Sequence, residues 1–135
     1  MDQHSKKVFG YVIEKDIQVN IVQNSVININ HLNREKNPAV VTLRKTMMRL
    51  FIYLLENADG KVIPHEDILL NVWDKYGLSS STQRLWQVMR CLRNKLSSLG
   101  IPEDFITRIE TGPERGYRVN KDKVTTIYYY DQKNL

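Results

Sequence analysis

Residues 79–98 read Ser79-Ser80-Ser81-Thr82-Gln83-Arg84-Leu85-Trp86-Gln87-Val88-Met89-Arg90-Cys91-Leu92-Arg93-Asn94-Lys95-Leu96-Ser97-Ser98, and this stretch decides the fold. A polar run precedes a new apolar period, and Ser80 with Gln83 three residues later fits a capping box. The spacing predicts a helix over 81–98, stopped by Gly100-Ile101-Pro102. At about 100° per residue, Leu85, Met89, Leu92 and Leu96 fall within about 60° of one another and form a core face. Gln83, Gln87, Arg90 and Asn94 lie opposite, with Arg84 and Cys91 at the edge. The outward face is therefore basic and amide-rich, without a carboxylate.

The charge of the whole chain gathers there. Twenty Lys+Arg against 15 Asp+Glu give a formal net charge of +5. The window 79–98 carries Arg84, Arg90, Arg93 and Lys95 and no acid, so +4 of the +5 lies in it. A local excess of this kind on a helix face fits a polyanionic partner better than a charge spread over the chain would.

Downstream, Ile106 to Thr111 alternates. Gly112-Pro113-Glu114-Arg115-Gly116 is a turn, and Tyr117-Arg118-Val119 returns, which predicts a β-hairpin. Gly116 is expected to supply a positive φ. Upstream, Met47, Leu50, Phe51, Leu54 and Leu55 recur at helical spacing from about 43 to 57, and Asp59-Gly60 ends that helix. Pro64 suits the first position of a second helix, with Glu66 and Asp67 matching its dipole. Ile68, Leu69, Val72 and Trp73 give it a buried side, and Gly77 breaks it.

Before these helices, Phe9 to Asn30 alternates and is rich in β-branched residues, which predicts three short antiparallel strands. Asn37-Pro38 marks a turn, and Val40 to Leu43 can form a fourth strand. The tail from Lys121 contains Tyr128-Tyr129-Tyr130, which can pack or add a strand. The expected organisation is one domain. Residues 1–43 form a small β-sheet, 44–120 a winged helix-turn-helix core and 121–135 a tail. The class is α+β.

Composition excludes several functions. The 135 residues suffice for one domain with a real core. The single cysteine, Cys91, can form neither an intrachain disulfide nor a multi-cysteine metal site. His4, His31 and His65 share no ligand spacing, so no metal is expected. No phosphate-binding glycine loop or nucleophile constellation is present, so no enzyme and no cofactor are expected. The longest apolar run, Leu50 to Leu55, is far short of the roughly 20 residues that span a bilayer. The N-terminus lacks a signal-peptide core, and the expected location is cytoplasmic.

Helix, short connection, helix, turn, long basic helix and hairpin form an order with a physical logic for duplex DNA. A helix fits the major groove, which is about 12 Å wide, and a preceding helix braces it. Four pieces then carry a resemblance: Asn57-Ala58-Asp59-Gly60-Lys61-Val62, Leu69-Leu70-Asn71-Val72-Trp73, Met89-Arg90-Cys91-Leu92-Arg93-Asn94-Lys95-Leu96, and Arg115-Gly116-Tyr117-Arg118-Val119. In this order they resemble the winged-helix DNA-binding domain of the OmpR/PhoB family of transcription regulators, over roughly 43–120. Within that family, Gln87 and the Arg-Gly-Tyr of the hairpin look most like the ToxR/CadC group. Trp86, Cys91 and Glu114 depart from the residue types usual at their positions.

The expected DNA-binding residues are Trp73, Thr82, Gln83, Arg84, Gln87, Arg90, Cys91, Arg93, Asn94, Arg115 and Arg118. Arginine suits guanine O6 and N7, and glutamine suits adenine N6 and N7, so Gln83, Arg84, Gln87 and Arg90 are candidates for base or groove edges. Arg93 and Lys95 suit phosphate or an acidic neighbour. Arg115 and Arg118 suit phosphate or minor groove. The resemblance places Trp73 near the DNA backbone; packing in the core is the alternative. Trp86 is expected as a partly buried shoulder residue, with stacking on a partner as its other reading. The resemblance further implies that the turn 74–81 meets RNA polymerase. Paired or tandem binding of two copies on DNA is plausible for a helix-turn-helix protein. A membrane becomes a partner only if the chain continues past residue 135. The competing reading is a winged helix used for protein–protein interaction in a regulatory complex.

Overall fold

A computed structural model describes residues 4–31 and 40–132. The Asn37-Pro38 turn lies outside the described residues. Strands β1 (His4–Ile13), β2 (Ile17–Asn20), β3 (Ser25–Asn28) and β4 (Val40–Thr42) come first. They are followed by α1 (Lys45–Glu56), β5 (Ile63–Pro64), α2 (His65–Val72) and α3 (Thr82–Ser98). The hairpin strands β6 (Ile106–Ile109) and β7 (Gly116–Val119) and the closing strand β8 (Val124–Gln132) complete the chain. The expected three leading strands and the fourth are all present.

Two antiparallel sheets frame the helices. The larger has the order β4-β3-β2-β1-β8, and the smaller β5-β7-β6. Residues from Lys121 onward thus return to the N-terminus, where β8 pairs with β1 from Ile13↔Val124 to His4↔Gln132. This settles the tail's two readings in favour of a strand.

The apolar periods of the sequence meet in one core. Phe51 and Leu54 of α1, Ile68 and Val72 of α2, and Leu85, Leu92 and Leu96 of α3 are buried with Tyr11, Ile13 and Val19 of the large sheet. Burying each such side chain is worth about 1.5–3 kcal/mol. A polar tie joins the sheet to the end of α3: Asn28, itself buried, donates its side-chain amide to the Leu99 carbonyl at 2.6 Å.

Local chemistry corrects three expectations. Ser81, not Ser80, caps α3: its Oγ accepts from the Arg84 backbone N–H at 3.0 Å, and the helix starts at Thr82. Ser80 instead donates its hydroxyl to Asp74 Oδ1 at 2.7 Å, which secures the turn ahead of the helix. Pro64 lies one position before α2 as its N-cap residue, because it still pairs with Gly116 in β5. The positive φ of the hairpin falls on Gly112, at 92°, and not on Gly116. Gly116 is needed for close approach: a Cβ there would stand 1.9 Å from the Ile63 carbonyl oxygen.

Candidate nucleic-acid interface

The local sequence positions the interface from α3 outward. Leu85, Met89, Leu92 and Leu96 turn inward and are buried, as their period requires. Their burial leaves Thr82, Gln83, Arg84, Gln87, Arg90, Cys91 and Asn94 exposed, with Arg93 half-buried on the flank. Seven of the expected residues therefore share one accessible helix surface. The Arg84 guanidinium reaches back to the Ser79 carbonyl at 3.4 Å. The Arg93 guanidinium donates to the Glu103 carbonyl at 3.1 Å, so this side chain is anchored to the loop before β6 by a backbone group and not by a carboxylate.

The hairpin stands beside this helix. Its register pairs Arg118 with Thr107 and Tyr117 with Arg108. Ile106, Tyr117 and Val119 are buried, while Thr107 and Arg118 are exposed on the other face. Arg115 is exposed in the turn and its carbonyl accepts from the His65 backbone N–H at 3.1 Å, which ties the wing to the start of α2. The His65 ring leans on Tyr117, with centroids 5.5 Å apart. Burial holds the His65 imidazole below its ordinary range, and Arg108 and Arg115 push the same way while Glu110 opposes them. Burial also raises the Tyr117 phenol above its ordinary value.

Helix and wing enclose a groove of about 340 Å³, lined by Trp86, Arg90, Arg93, Asn94, Arg108 and Tyr117 among others. Arg108 was absent from the expected residues. It shares strand parity with buried Ile106, so it faces the groove, where it forms an ion pair with Glu110 at 3.0 Å. Ile106 and Ile109 put an apolar residue on each parity of the strand, so the sequence alone leaves the face of Arg108 open and its pairing with Tyr117 decides it.

Two tryptophans separate cleanly. Trp73 is 2% exposed, so its ring belongs to the core. The ring packs in the core as the alternative reading had it, and a contact of its N–H edge with a backbone phosphate belongs to the DNA-bound state. Trp86 is 43% exposed and sits on the flank of α3, a partly buried shoulder position with part of its ring open. The Arg90 guanidinium lies over its ring, 5.6 Å from the centroid.

The arrangement is that of a winged-helix DNA-binding domain: three helices, a leading antiparallel sheet and a C-terminal hairpin. Residues 37–119 match the family model described as "Transcriptional regulatory protein, C terminal", and the chain belongs to that family. Among solved structures, the DNA-binding domain of E. coli CadC matches with a TM-score of 0.62 at 20% identity, covering 93% of this chain and 100% of that one. No individually curated protein matches in sequence. The chain is thus the DNA-binding domain of a bacterial-type transcription regulator, of the OmpR/PhoB kind, and double-stranded DNA is its partner. The family is one of DNA-binding regulators and not of enzymes. Among the described residues no helix is long and apolar enough to cross a membrane.

Proposed function

We propose that α3 enters the major groove of duplex DNA and that the β6–β7 hairpin acts as a wing on the adjacent groove. The observation that carries this reading is the exposed surface of α3, where Arg84, Arg90, Gln83 and Gln87 project with no carboxylate among them. Gln83, Arg84, Gln87 and Arg90 read base or groove edges, with Thr82, Cys91 and Asn94 on the same surface. Arg93 and the wing residues Arg115 and Arg118 meet phosphate or minor groove. Residues 44–120 are the DNA-reading unit, and the sheet of β1–β4 with β8 is its scaffold.

The turn 74–81, with Asp74, Lys75, Tyr76 and Leu78 exposed, is the segment offered to RNA polymerase. Two copies occupy tandem or inverted half-sites on one duplex. A regulator that reads genomic DNA of a bacterial type works in the cytoplasm, and on the cytoplasmic face of a membrane where a longer native chain carries an anchor.

Selection of bound fragments from a pool of random duplexes, with the purified chain, tests the reading. A single recurring sequence is the expected result. Arg90→Ala then costs about 1–3 kcal/mol on that sequence and relaxes the preference at one position. Equal affinity of the wild type and this variant for the selected duplex would remove Arg90 from the base contacts. Failure to enrich any duplex, with retention of a protein partner, would favour the protein–protein reading.

A further inference from the structure

Trp86 is the one large apolar side chain of α3 that is exposed among the described residues; the other exposed aromatic rings lie on β1 and β8 and at Tyr76. Its neighbours in sequence do not explain it. Leu85 and Met89 turn into the core, and Trp86 sits about 100° further around from Leu85. That places it on the flank towards the wing, at the groove shared with Arg90, Arg93 and Arg108. Arg90, one turn along, covers one side of the ring. The indole is thus held between a cation and the groove, with carbon surface left open at the wing-side edge of a polar reading face.

The chemistry of base edges narrows what such a surface can meet. Thymine alone among the four bases presents an apolar methyl group, on C5, to the major groove. An indole carries a single N–H donor and no acceptor, so among the base edges its apolar surface is best complemented by that methyl. Building on the proposal that α3 reads the major groove, we propose that Trp86 is a specificity-determining residue that packs its indole on the methyl group of a thymine next to the base pair met by Arg90.

The test uses the whole chain and the duplex it selects. Each thymine of that duplex is replaced in turn by deoxyuridine, which removes the methyl and leaves every hydrogen-bonding group in place. The wild type is expected to bind one substituted duplex about fourfold more weakly, the worth of one buried methyl, and the others unchanged. Trp86→Gln, checked for an unchanged thermal unfolding curve, is expected to lose this sensitivity, and Trp86→Phe to keep it. Wild-type indifference to every replacement, a selected sequence without a recurring thymine, or equal sensitivity in Trp86→Gln would overturn the assignment while leaving DNA reading by α3 intact. A chain that enriches no duplex overturns both.

Discussion

The dependence of DNA binding on salt can be worked out from the side chains on the interface. With Arg84 and Arg90 assigned to base or groove edges, four cationic groups remain to meet phosphate: Arg93, Lys95, Arg115 and Arg118. Among the described residues none of the four is ion-paired to a carboxylate, whereas Arg108 is held by Glu110 at 3.0 Å and is left out of the count. Each phosphate neutralised releases condensed counterion, and four of them give a slope of log K against log salt of about −3.6. A rise from about 50 to about 200 mM salt should then weaken binding about 150-fold. Arg118→Ala removes one contact, so its slope should fall to about −2.7 and its loss over the same range to about 40-fold. Glu110→Gln acts in the opposite sense. It frees Arg108 in the groove, and the slope should steepen towards about −4.5. Fluorescence anisotropy of a labelled duplex, titrated at four salt concentrations for the three proteins, measures all of this. A wild-type slope shallower than about −1, or one that Arg118→Ala leaves unchanged, would refute the phosphate assignment of the wing.

Three further outcomes rest on local structure. Gly116→Ala should destabilise by about 1–3 kcal/mol in urea unfolding, because its Cβ would stand 1.9 Å from the Ile63 carbonyl oxygen and force β5 and β7 apart; an unchanged midpoint would show that the strands yield freely. Ser81→Ala should cost about 1 kcal/mol through loss of the Arg84 N–H cap, while Ser80→Ala should cost less, and the two compared by thermal unfolding separate the capping residue from its neighbour. The folded chain holds the His65 imidazole below the unfolded value of 6.5, so the stability of the neutral ring is fully present above about pH 6.5 and is lost as the pH falls through that value towards the folded one. The urea midpoint should therefore drop between about pH 7.5 and pH 5.5, and His65→Gln should flatten that part of the profile.

Most of the fold is legible because it is local. The α3 period, the Asp59-Gly60 stop and the hairpin alternation are written within windows shorter than 20 residues, and each appears where it was expected. What escapes is what depends on distant partners. Tyr128–Tyr130 alternate with nothing in their own neighbourhood that names a partner, and the strand that receives them is Lys6–Val8, at the other end of the chain. Trp73 shows the same limit in a side chain. A tryptophan at a helix end looks alike whether it packs inward or points to solvent, and only the placement of α2 against α1 and α3 decides. The shift from Ser80 to Ser81 as cap is smaller in kind: three consecutive serines offer the same hydroxyl, and the choice is made by Asp74, which accepts from Ser80 and leaves Ser81 to the helix.

The candidate site divides along the same line. Its helical half could be read directly, because an outward face is the complement of a core face and 3.6-residue periodicity fixes both at once. The wing half could not. Arg108, Arg115 and Arg118 are three basic residues in one hairpin, and sequence spacing alone does not say which of them faces α3. The answer follows from pairing: Arg108 stands across from buried Tyr117 and turns to the groove, while Arg118 stands across from Thr107 and turns away from it. A helix that must keep its reading face polar can draw little stability from that face. α3 compensates through four buried apolar residues, a serine cap and the Asn28 tie at its end, none of them a side chain of the proposed base-reading set. Substitutions among those groups should therefore change stability and leave sequence preference alone, whereas changes at Gln87 or Arg90 should do the reverse, since neither side chain is buried. Coincident losses of both properties at Gln87 would mean that the reading face also holds the fold together.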